Sequence, residues 1–346
     1  MKKVLYVFPI RTTFVQSDLE ILSRHFHVIP FHFDTTRKAW TPVYFIRQFF
    51  FLLFHAGGST FYFSQFSGYH SFLPAVFGKM LRKKSFIVLH GTECNNFPEY
   101  HYGYLRKPVL NWFNRKSLAW SGMLFPVSQS LVSTEYTFAE TTYKKQGYLS
   151  FYPGIRTPYV VIPNGVVTTQ FDLLPDSNRI AASFITVATG IESANRRAIK
   201  GVDLVIALAR LTPDYTYTII GAAPESLPDL PDNITALPRQ PHEALERHYN
   251  HHAFYLQVSA SEGFGISVCE AMLCGCVPIV SKVGALPEIA GPYGYVLEHQ
   301  NVDQLRQLVE SAVHNYSAQL QTEVRHHIID HYSMFYREKN LLESIK

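Results

Sequence analysis

The sequence predicts an α/β protein made of two doubly wound domains that face each other across a cleft. Short apolar runs of strand length alternate with longer segments of helical periodicity through both halves of the chain. A length of 346 residues is more than one hydrophobic core usually organises and suits two. Near the end of the second half, the apolar run Phe254 to Val258 passes through Ser259-Ala260-Ser261-Glu262-Gly263-Phe264-Gly265 into a helix. A strand, a glycine loop and a helix in that order form the ligand-binding junction of such sheets.

Composition narrows the function classes. An apolar content of 47% is ordinary for a globular protein and excludes disorder. Residues 1–165 hold 18 Lys/Arg against 7 Asp/Glu, net +11, whereas the remainder holds 13 against 20, net −7. A basic first half suits an anionic partner, such as a membrane face or a phosphorylated acceptor; a solvated basic surface is the plainer alternative. No nucleic-acid partner is expected. The four cysteines, Cys94, Cys269, Cys274 and Cys276, do not form a secreted disulfide framework. The last three read as small apolar residues in and after the helix, so no metal site is expected there. Val4 to Ile10 is too short for a signal peptide, and Val43 to Phe54 is too short to span a bilayer and contains Arg47 and Gln48. These features predict a cytoplasmic protein, peripheral on the inner face of the membrane.

Taken in order, Val4 to Phe8 reads as a strand, Ser17 to Arg24 as a helix with a capping-type start, and His27 to Phe33 as a second strand. Pro42 to His55 is a helix with an aromatic stripe, suited to core packing and to membrane docking. Thr60 to Ser64 is a strand, Phe72 to Met80 a helix with Arg82-Lys83-Lys84 at its basic end, and Ser85 to Leu89 a strand that delivers His90 at its C-terminal edge. Asn95 to Lys107 is an aromatic loop, too rich in Tyr and Asn to be core, that suits an acceptor pocket or a lid. Val109 to Ala119 is a helix, Met123 to Val127 a strand, and Tyr159 to Asn164 a strand that ends in the Asn164-Gly165 turn. The domain boundary is expected between Val166 and Ser183, with residues 173–178 as linker.

The second domain opens on the strand Phe184 to Ala188. Lys200-Gly201 precedes the helix Val202 to Leu211, with Arg196 and Arg197 in a long loop before it. Strands follow at Tyr215 to Ile220 and Ile234 to Leu237, then a helix from Pro241 to Asn250. In the central stretch, Gly263 and Gly265 permit positive φ and close approach of a ligand to the backbone. Ile266 to Leu273 is the helix, and Gly275 supplies a left-handed C-terminal cap. The free N–H groups at the start of this helix make an anion site of the kind that holds a diphosphate. Glu262 and Glu270 flank it; two acids repel phosphate and therefore suit its neutral sugar hydroxyls. Val302 to Tyr316 and Thr322 to Lys346 are helical.

The pair Glu262-GFGISVC-Glu270, followed by Cys274-Gly-Cys-Val-Pro278 and Gly284-Ala-Leu-Pro-Glu288, resembles the signature of the retaining glycosyltransferases of family 4, group 1, the class that includes glycogen synthase-like and sucrose synthase-like enzymes. The resemblance implies the GT-B fold: an acceptor-binding first domain over residues 1–166, a donor-binding second domain over 183–331, and a last helix, about 332–346, that packs back on the first. It implies transfer of a sugar from a nucleoside diphosphate sugar to the hydroxyl of a glycan or lipid-linked acceptor, as in bacterial polysaccharide, lipopolysaccharide or other glycoconjugate assembly. Glu270 would hold the ribose and Glu262 the sugar hydroxyls, while Gly263, Phe264, Gly265 and Ile266 offer backbone groups. Lys200 and either Arg196 or Arg197 would neutralise the departing diphosphate, His90 would face the donor sugar, and Arg239 and Gln240 would lie beside the base. No cofactor is expected, and with no Asp-x-Asp motif no metal either. The first strand departs from the family, since Pro9-Ile-Arg-Thr-Thr-Phe stands where its glycine-rich acceptor loop belongs. An epimerase or phosphorylase on the same fold, or a non-catalytic carbohydrate-binding protein, remains the alternative.

Overall fold

A computed structural model describes residues 1–174, 179–227 and 229–346. Most of the expected linker at 173–178, and Pro228 of the proline-rich loop, lie outside the described residues. The first half forms strands β1 (Lys3–Phe8), β2 (His27–His32), β3 (Ser59–Gln65), β4 (Lys84–Leu89) and β5 (Met123–Pro126). They are all parallel and lie in the order β2-β1-β3-β4-β5. Between them run α1 (Thr13–His25), α2 (Thr41–Ala56), α3 (Tyr69–Leu81) and α4 (Pro108–Trp120). A small antiparallel pair, β6 (Thr134–Glu135) with β7 (Lys145–Gln146), and the short α5 (Tyr148–Phe151) precede the second half. Pro30 is tolerated within β2 because that strand is the sheet's edge.

The second sheet comprises β8 (Ile180–Val187), β9 (Thr216–Ile220), β10 (Ile234–Leu237), β11 (His252–Gln257), β12 (Val277–Ser281) and β13 (Tyr295–Leu297). They too are parallel, in the order β10-β9-β8-β11-β12-β13. Its helices are α6 (Ala194–Ile199), α7 (Val202–Leu211), α8 (His242–His251), α9 (Ile266–Leu273), α10 (Leu286–Ala290) and α11 (Val302–His314). The order reverses between β8 and β11, so the loops leaving those two strands diverge and open a crevice. Aromatic residues fill both cores: Tyr6 stacks on Phe63 at 5.6 Å in the first, and Phe184 on Tyr217 and Phe254 at 5.1 and 5.0 Å in the second.

Four sequence expectations are corrected. Helix α1 begins at Thr13, where Gln16 N donates to Thr12 O at 3.0 Å, so Asp18 is an interior helical residue and not part of a cap. Tyr159 to Asn164 runs beside β5, with Val160 N bonded to Leu124 O at 3.0 Å and Ile162 N to Pro126 O at 2.9 Å, but forms only an isolated bridge and not a regular strand. The Asn95 to Lys107 loop is buried at its start, where Asn95, Asn96 and Phe97 are inside and Phe97 belongs to the second hydrophobic cluster with Tyr136 and Phe138, while Pro98, Glu99, His101, Arg106 and Lys107 are exposed. The helix expected from Thr322 to the end breaks at Ser333, which is extended (φ −66°, ψ 156°), giving α12 (Ala318–Tyr332) and α13 (Met334–Ile345).

The break carries the chain from one domain to the other. At the crossing Val166 N donates to Tyr332 O at 2.9 Å and Met334 N to Val166 O at 3.0 Å. Helix α13 is then pinned to the first domain by Arg337, whose Nε and Nη2 donate to the Asp18 carboxylate at 3.0 and 2.7 Å and whose Nη1 donates to Ile162 O at 2.6 Å. Their side chains are 1% and 3% exposed. Removing one partner of so buried a pair costs about 3–5 kcal/mol, because the other charge is left without compensation.

Candidate active site

The second domain builds one wall of the crevice from chain segments laid across the end of β11. Ala260 N donates to Ile199 O at 2.8 Å, which fixes the Lys200-Gly201 turn against the strand end. Gly201 has φ +71°, and a Cβ on it would stand 2.1 Å from Val258 O, so only glycine fits there. The turn brings Lys200 Nζ to 2.9 Å from Glu262 Oε2, and Gln257 Nε2 approaches the same oxygen at 3.4 Å. A carboxylate and an ammonium 62 positions apart thus meet at the mouth of the glycine loop.

Helix α9 starts directly after Gly265 (φ +113°) with no side-chain cap. Its first N–H groups are therefore directed at the crevice with the positive end of the helix dipole. Glu270, two turns from Glu262 in sequence, faces a neighbouring recess and not the same one. His242 Nε2 lies 2.8 Å from its Oε1, Tyr249 Oη donates to its Oε2 at 3.5 Å, and the His242 ring meets Phe171 edge-on at 5.1 Å. The hydrogen bond to Glu270 raises the His242 pKa above its ordinary 6.5, against the lowering effect of burial. Glu262 lines a cavity of about 300 Å³ and Glu270 one of about 170 Å³. Phe14 and Ile266 line both, so the helix start lies between the two carboxylates.

The first domain supplies His90 from the end of β4. Its ring is held between Phe14 and Phe66, with centroids 4.4 and 4.5 Å away. Gln65 Nε2 donates to Asp18 Oδ2 at 2.7 Å, which leaves Gln65 Oε1 to accept from His90 Nε2 at 2.7 Å. The Nε2–H tautomer follows, and buried Nδ1 has no partner among the described residues. Burial, and then the Arg337 charge, push the His90 pKa well below its ordinary value, so the ring is neutral with one free acceptor lone pair. The two domains touch here: Ser128 Oγ donates to Gly263 O at 2.9 Å, and a Cβ on Gly263 would stand 1.7 Å from His90 O.

The crevice thus gathers His90, Arg196, Lys200, Glu262, Gly263, Phe264, Gly265 and Ile266. Other expected residues lie elsewhere. Arg197 Nε donates to Asp203 Oδ1 at 2.5 Å, and the pair does not line the crevice. Arg239 and Gln240 follow β10 outside all three of the principal cavities, with Gln240 Nε2 bonded to Pro238 O at 3.0 Å. The long loop expected to hold the arginines is partly helical, as α6, which places Arg196 and Arg197 on different sides. Sequence reasoning missed Gln65, Asp18, His242 and Tyr102. His242 and Gln65 act through partners 28 and 25 positions away, and no local pattern carries that signal. Tyr102, which accepts from Thr92 Oγ1 at 3.0 Å, was hidden in a loop read as exposed. Among the described residues no group of three His, Cys, Asp or Glu is placed to hold a metal ion.

Comparison with known proteins places this geometry. Residues 191–330 match the model of the glycosyl transferases group 1. That match lies within the second domain and covers 140 of the chain's 346 residues. The two domains together have the GT-B fold: sucrose-phosphate synthase from Thermosynechococcus elongatus superposes over 99% of this chain and 98% of its own, with a TM-score of 0.74 at 14% identity. Anabaena HepE, solved with UDP and glucose, superposes over 100% and 99% with a TM-score of 0.69, also at 14% identity. Among curated proteins, the phosphatidylinositol N-acetylglucosaminyltransferase gpi3 subunit of Schizosaccharomyces pombe is 27% identical over 179 residues. That alignment covers 48% of this chain and 38% of the relative, so the chain spans well under half the length of the curated relatives it matches. A D-inositol 3-phosphate glycosyltransferase of a Mycobacterium species is 32% identical over 102 residues, 26% of this chain and 23% of that protein.

The His242–Glu270 contact predicts a pH dependence. A folded-state pKa raised above 6.5 means that the contact's contribution is complete below that value and is lost as pH rises through the folded pKa. Thermal melts from pH 5.5 to 8.5 should show the wild type losing stability towards the alkaline end relative to His242→Asn. Parallel curves for the two proteins would remove the linkage.

Proposed function

We propose that the protein transfers a glycosyl group from a nucleoside diphosphate sugar to an acceptor hydroxyl, with retention of anomeric configuration, in the assembly of a glycoconjugate or polysaccharide. The observation that carries this reading is the α9 N-terminus set between two carboxylate-lined recesses, with Lys200 and Arg196 on the Glu262 side. A diphosphate seated on the helix start leaves its sugar in the larger recess and its ribose in the smaller. Glu262 then accepts hydrogen bonds from sugar hydroxyls, and Glu270 from the ribose. His90 Nδ1 offers a further acceptor on the sugar's other side. HepE, solved with UDP and glucose, supports a nucleotide-sugar donor for this fold.

Charge development decides the mechanism. As the glycosidic bond breaks, negative charge collects on the leaving diphosphate, where Lys200, Arg196 and the α9 N–H groups stand ready without reorganisation. On this reading they carry the neutralisation, and no divalent ion is required. Glu262 is bonded to Lys200 and engaged with hydroxyls, so it is poorly placed to attack the anomeric carbon. The acceptor hydroxyl therefore enters on the leaving group's own face and passes its proton to a diphosphate oxygen. Lys200→Ala should cost about 2–4 kcal/mol in the transition state. NMR of the product from an α-linked donor, made with EDTA present, tests the whole scheme: an α-linkage is expected, and a β-linkage or activity abolished by the chelator would overturn it.

We further assign the basic first domain to an anionic membrane surface, on which the protein is peripheral. No helix among the described residues is long and apolar enough to cross a membrane. Helix α2 instead presents Ile46, Phe50, Leu53 and Phe54 to solvent, with Phe54 79% exposed. The Arg82-Lys83-Lys84 run contributes less than its sequence suggests: Lys83 Nζ donates to Ser59 O at 2.5 Å and Lys84 Nζ to Lys346 O at 2.5 Å. Lys79 and Arg82 near the α3 end, and Arg47 on α2, are the available cations. Sedimentation with vesicles containing anionic lipid should show salt-sensitive binding of about 1 kcal/mol for each basic residue near the surface. Equal binding to neutral vesicles would overturn the anionic assignment, and no binding at low salt would make this face merely solvated.

A further inference from the structure

A cavity larger than the crevice stands among the described residues. It lies beside it in the first domain, holds about 1020 Å³, and is walled by Ile10, Phe45, Ile46, Val109, Leu110 and Phe113. That volume reaches the top of the range of about 300–1,000 Å³ usual for small-molecule sites. The crevice, at about 300 Å³, suits a sugar; a wall of aliphatic and aromatic side chains three times larger does not. A glycan needs converging hydrogen-bond partners, and this wall offers few.

Three further observations say what fills it. Phe66 and Thr92 line both the apolar cavity and the crevice, so the two spaces adjoin at the place where an acceptor hydroxyl must arrive. Phe66 is held there at φ +63°, a left-handed conformation that a bulky side chain adopts only when its surroundings impose it and that gathers at functional sites. At the other end, the wall residues Ile10, Ile46 and Val109 are exposed (48%, 59% and 64%) and continue into the apolar face of α2. Finally, Lys38 and Lys107 stand on the lining, and neither they nor the adjacent Arg106 pairs with a carboxylate among the described residues. The nearby Asp34 carboxylate is turned instead onto Thr36, at 2.8 Å from its N and 2.6 Å from its Oγ1.

We infer that this cavity holds the apolar chain of an amphiphilic acceptor, with its anionic headgroup against Lys38 and Lys107 and its hydroxyl directed past Phe66 and Thr92 into the crevice. The inference rests on the transferase reading for the word acceptor, and on the cavity alone for the chemistry of the ligand. The unpaired cations supply the charge complement of a phosphate, and the exposed apolar rim lets a chain pass from a bilayer into the cavity without crossing water. Burial, and then Arg106 and Lys38, lower the Lys107 pKa, a strain that a bound anion relieves.

The test is a titration of the full chain, without donor, with farnesyl phosphate below its aggregation threshold, followed by calorimetry, with farnesol and inorganic phosphate as comparison arms. Saturable binding of farnesyl phosphate is expected, at least tenfold tighter than inorganic phosphate and several-fold tighter than farnesol. Leu110→Trp, which fills the cavity, and Ile46→Glu, which places a charge on its exposed rim, should each weaken it at least tenfold. The thermal shift given by UDP, GDP or ADP serves as a fold check on both variants. Inorganic phosphate binding as tightly as farnesyl phosphate, or indifference to both substitutions, would overturn the inference. Farnesol binding as tightly would overturn the headgroup assignment. Farnesyl phosphate binding by a protein that no nucleotide stabilises would overturn the transferase reading and leave the amphiphile site standing.

Discussion

One backbone contact governs the rest of the site: the Gly263 loop of the second domain lies directly on the His90 carbonyl of the first. A Cβ at Gly263 would fall 1.7 Å from that oxygen, and Ser128 Oγ closes the contact by donating to Gly263 O at 2.9 Å. The approach has no room for a side chain, and it sets the distance between the C-terminal edges of two sheets that share no strand. Everything chemical in the crevice inherits its spacing from this contact. Lys200 and Glu262 stand on one side, His90 on the other, and the α9 N-terminus forms the floor.

The contact is maintained from far away. His90 is oriented by Gln65, Gln65 by Asp18, and Asp18 by Arg337 on the last helix, through hydrogen bonds of 2.7, 2.7 and 2.7 Å. That helix reaches the first domain only because Ser333 interrupts the preceding one. The chain's last crossing therefore does two things at once: it ties the domains together, and it fixes the tautomer of the histidine in the crevice. A buried ion pair contributes little net stability compared with apolar packing. Its use here is orientation, because a neutral His90 with a free Nδ1 requires a fixed acceptor at Nε2.

Local order explains what the sequence made legible. The α9 helix was readable to its end residues because Gly263, Gly265 and Gly275 mark its loop and both boundaries, and most strands were readable because parallel sheets demand continuous apolar runs. Tyr159 to Asn164 has the same look but forms only an isolated bridge at the sheet's edge, with Val160 N bonded to Leu124 O and Ile162 N to Pro126 O. Asn95 to Lys107 is polar enough to read as exposed, yet its first residues are buried where Gly147 N donates to Asn95 Oδ1 and the Gln146 amide pairs with the Asn96 backbone, some 50 positions later. The pairing of Arg197 with Asp203, and of His242 with Glu270, depends on folded geometry in the same way. The apolar cavity has no sequence signature at all, since its walls come from five separate segments.

The central claim is that a nucleoside diphosphate binds at the α9 N-terminus with Lys200 on its phosphates. Phosphorus-31 NMR of UDP, GDP and ADP titrated into the protein tests it most directly. The account predicts that at least one of them shows a saturable shift of its β-phosphate resonance, abolished by Lys200→Met and kept by Arg197→Met, whose arginine faces Asp203. A shift insensitive to Lys200→Met, or no shift with any of the three nucleotides, would contradict it.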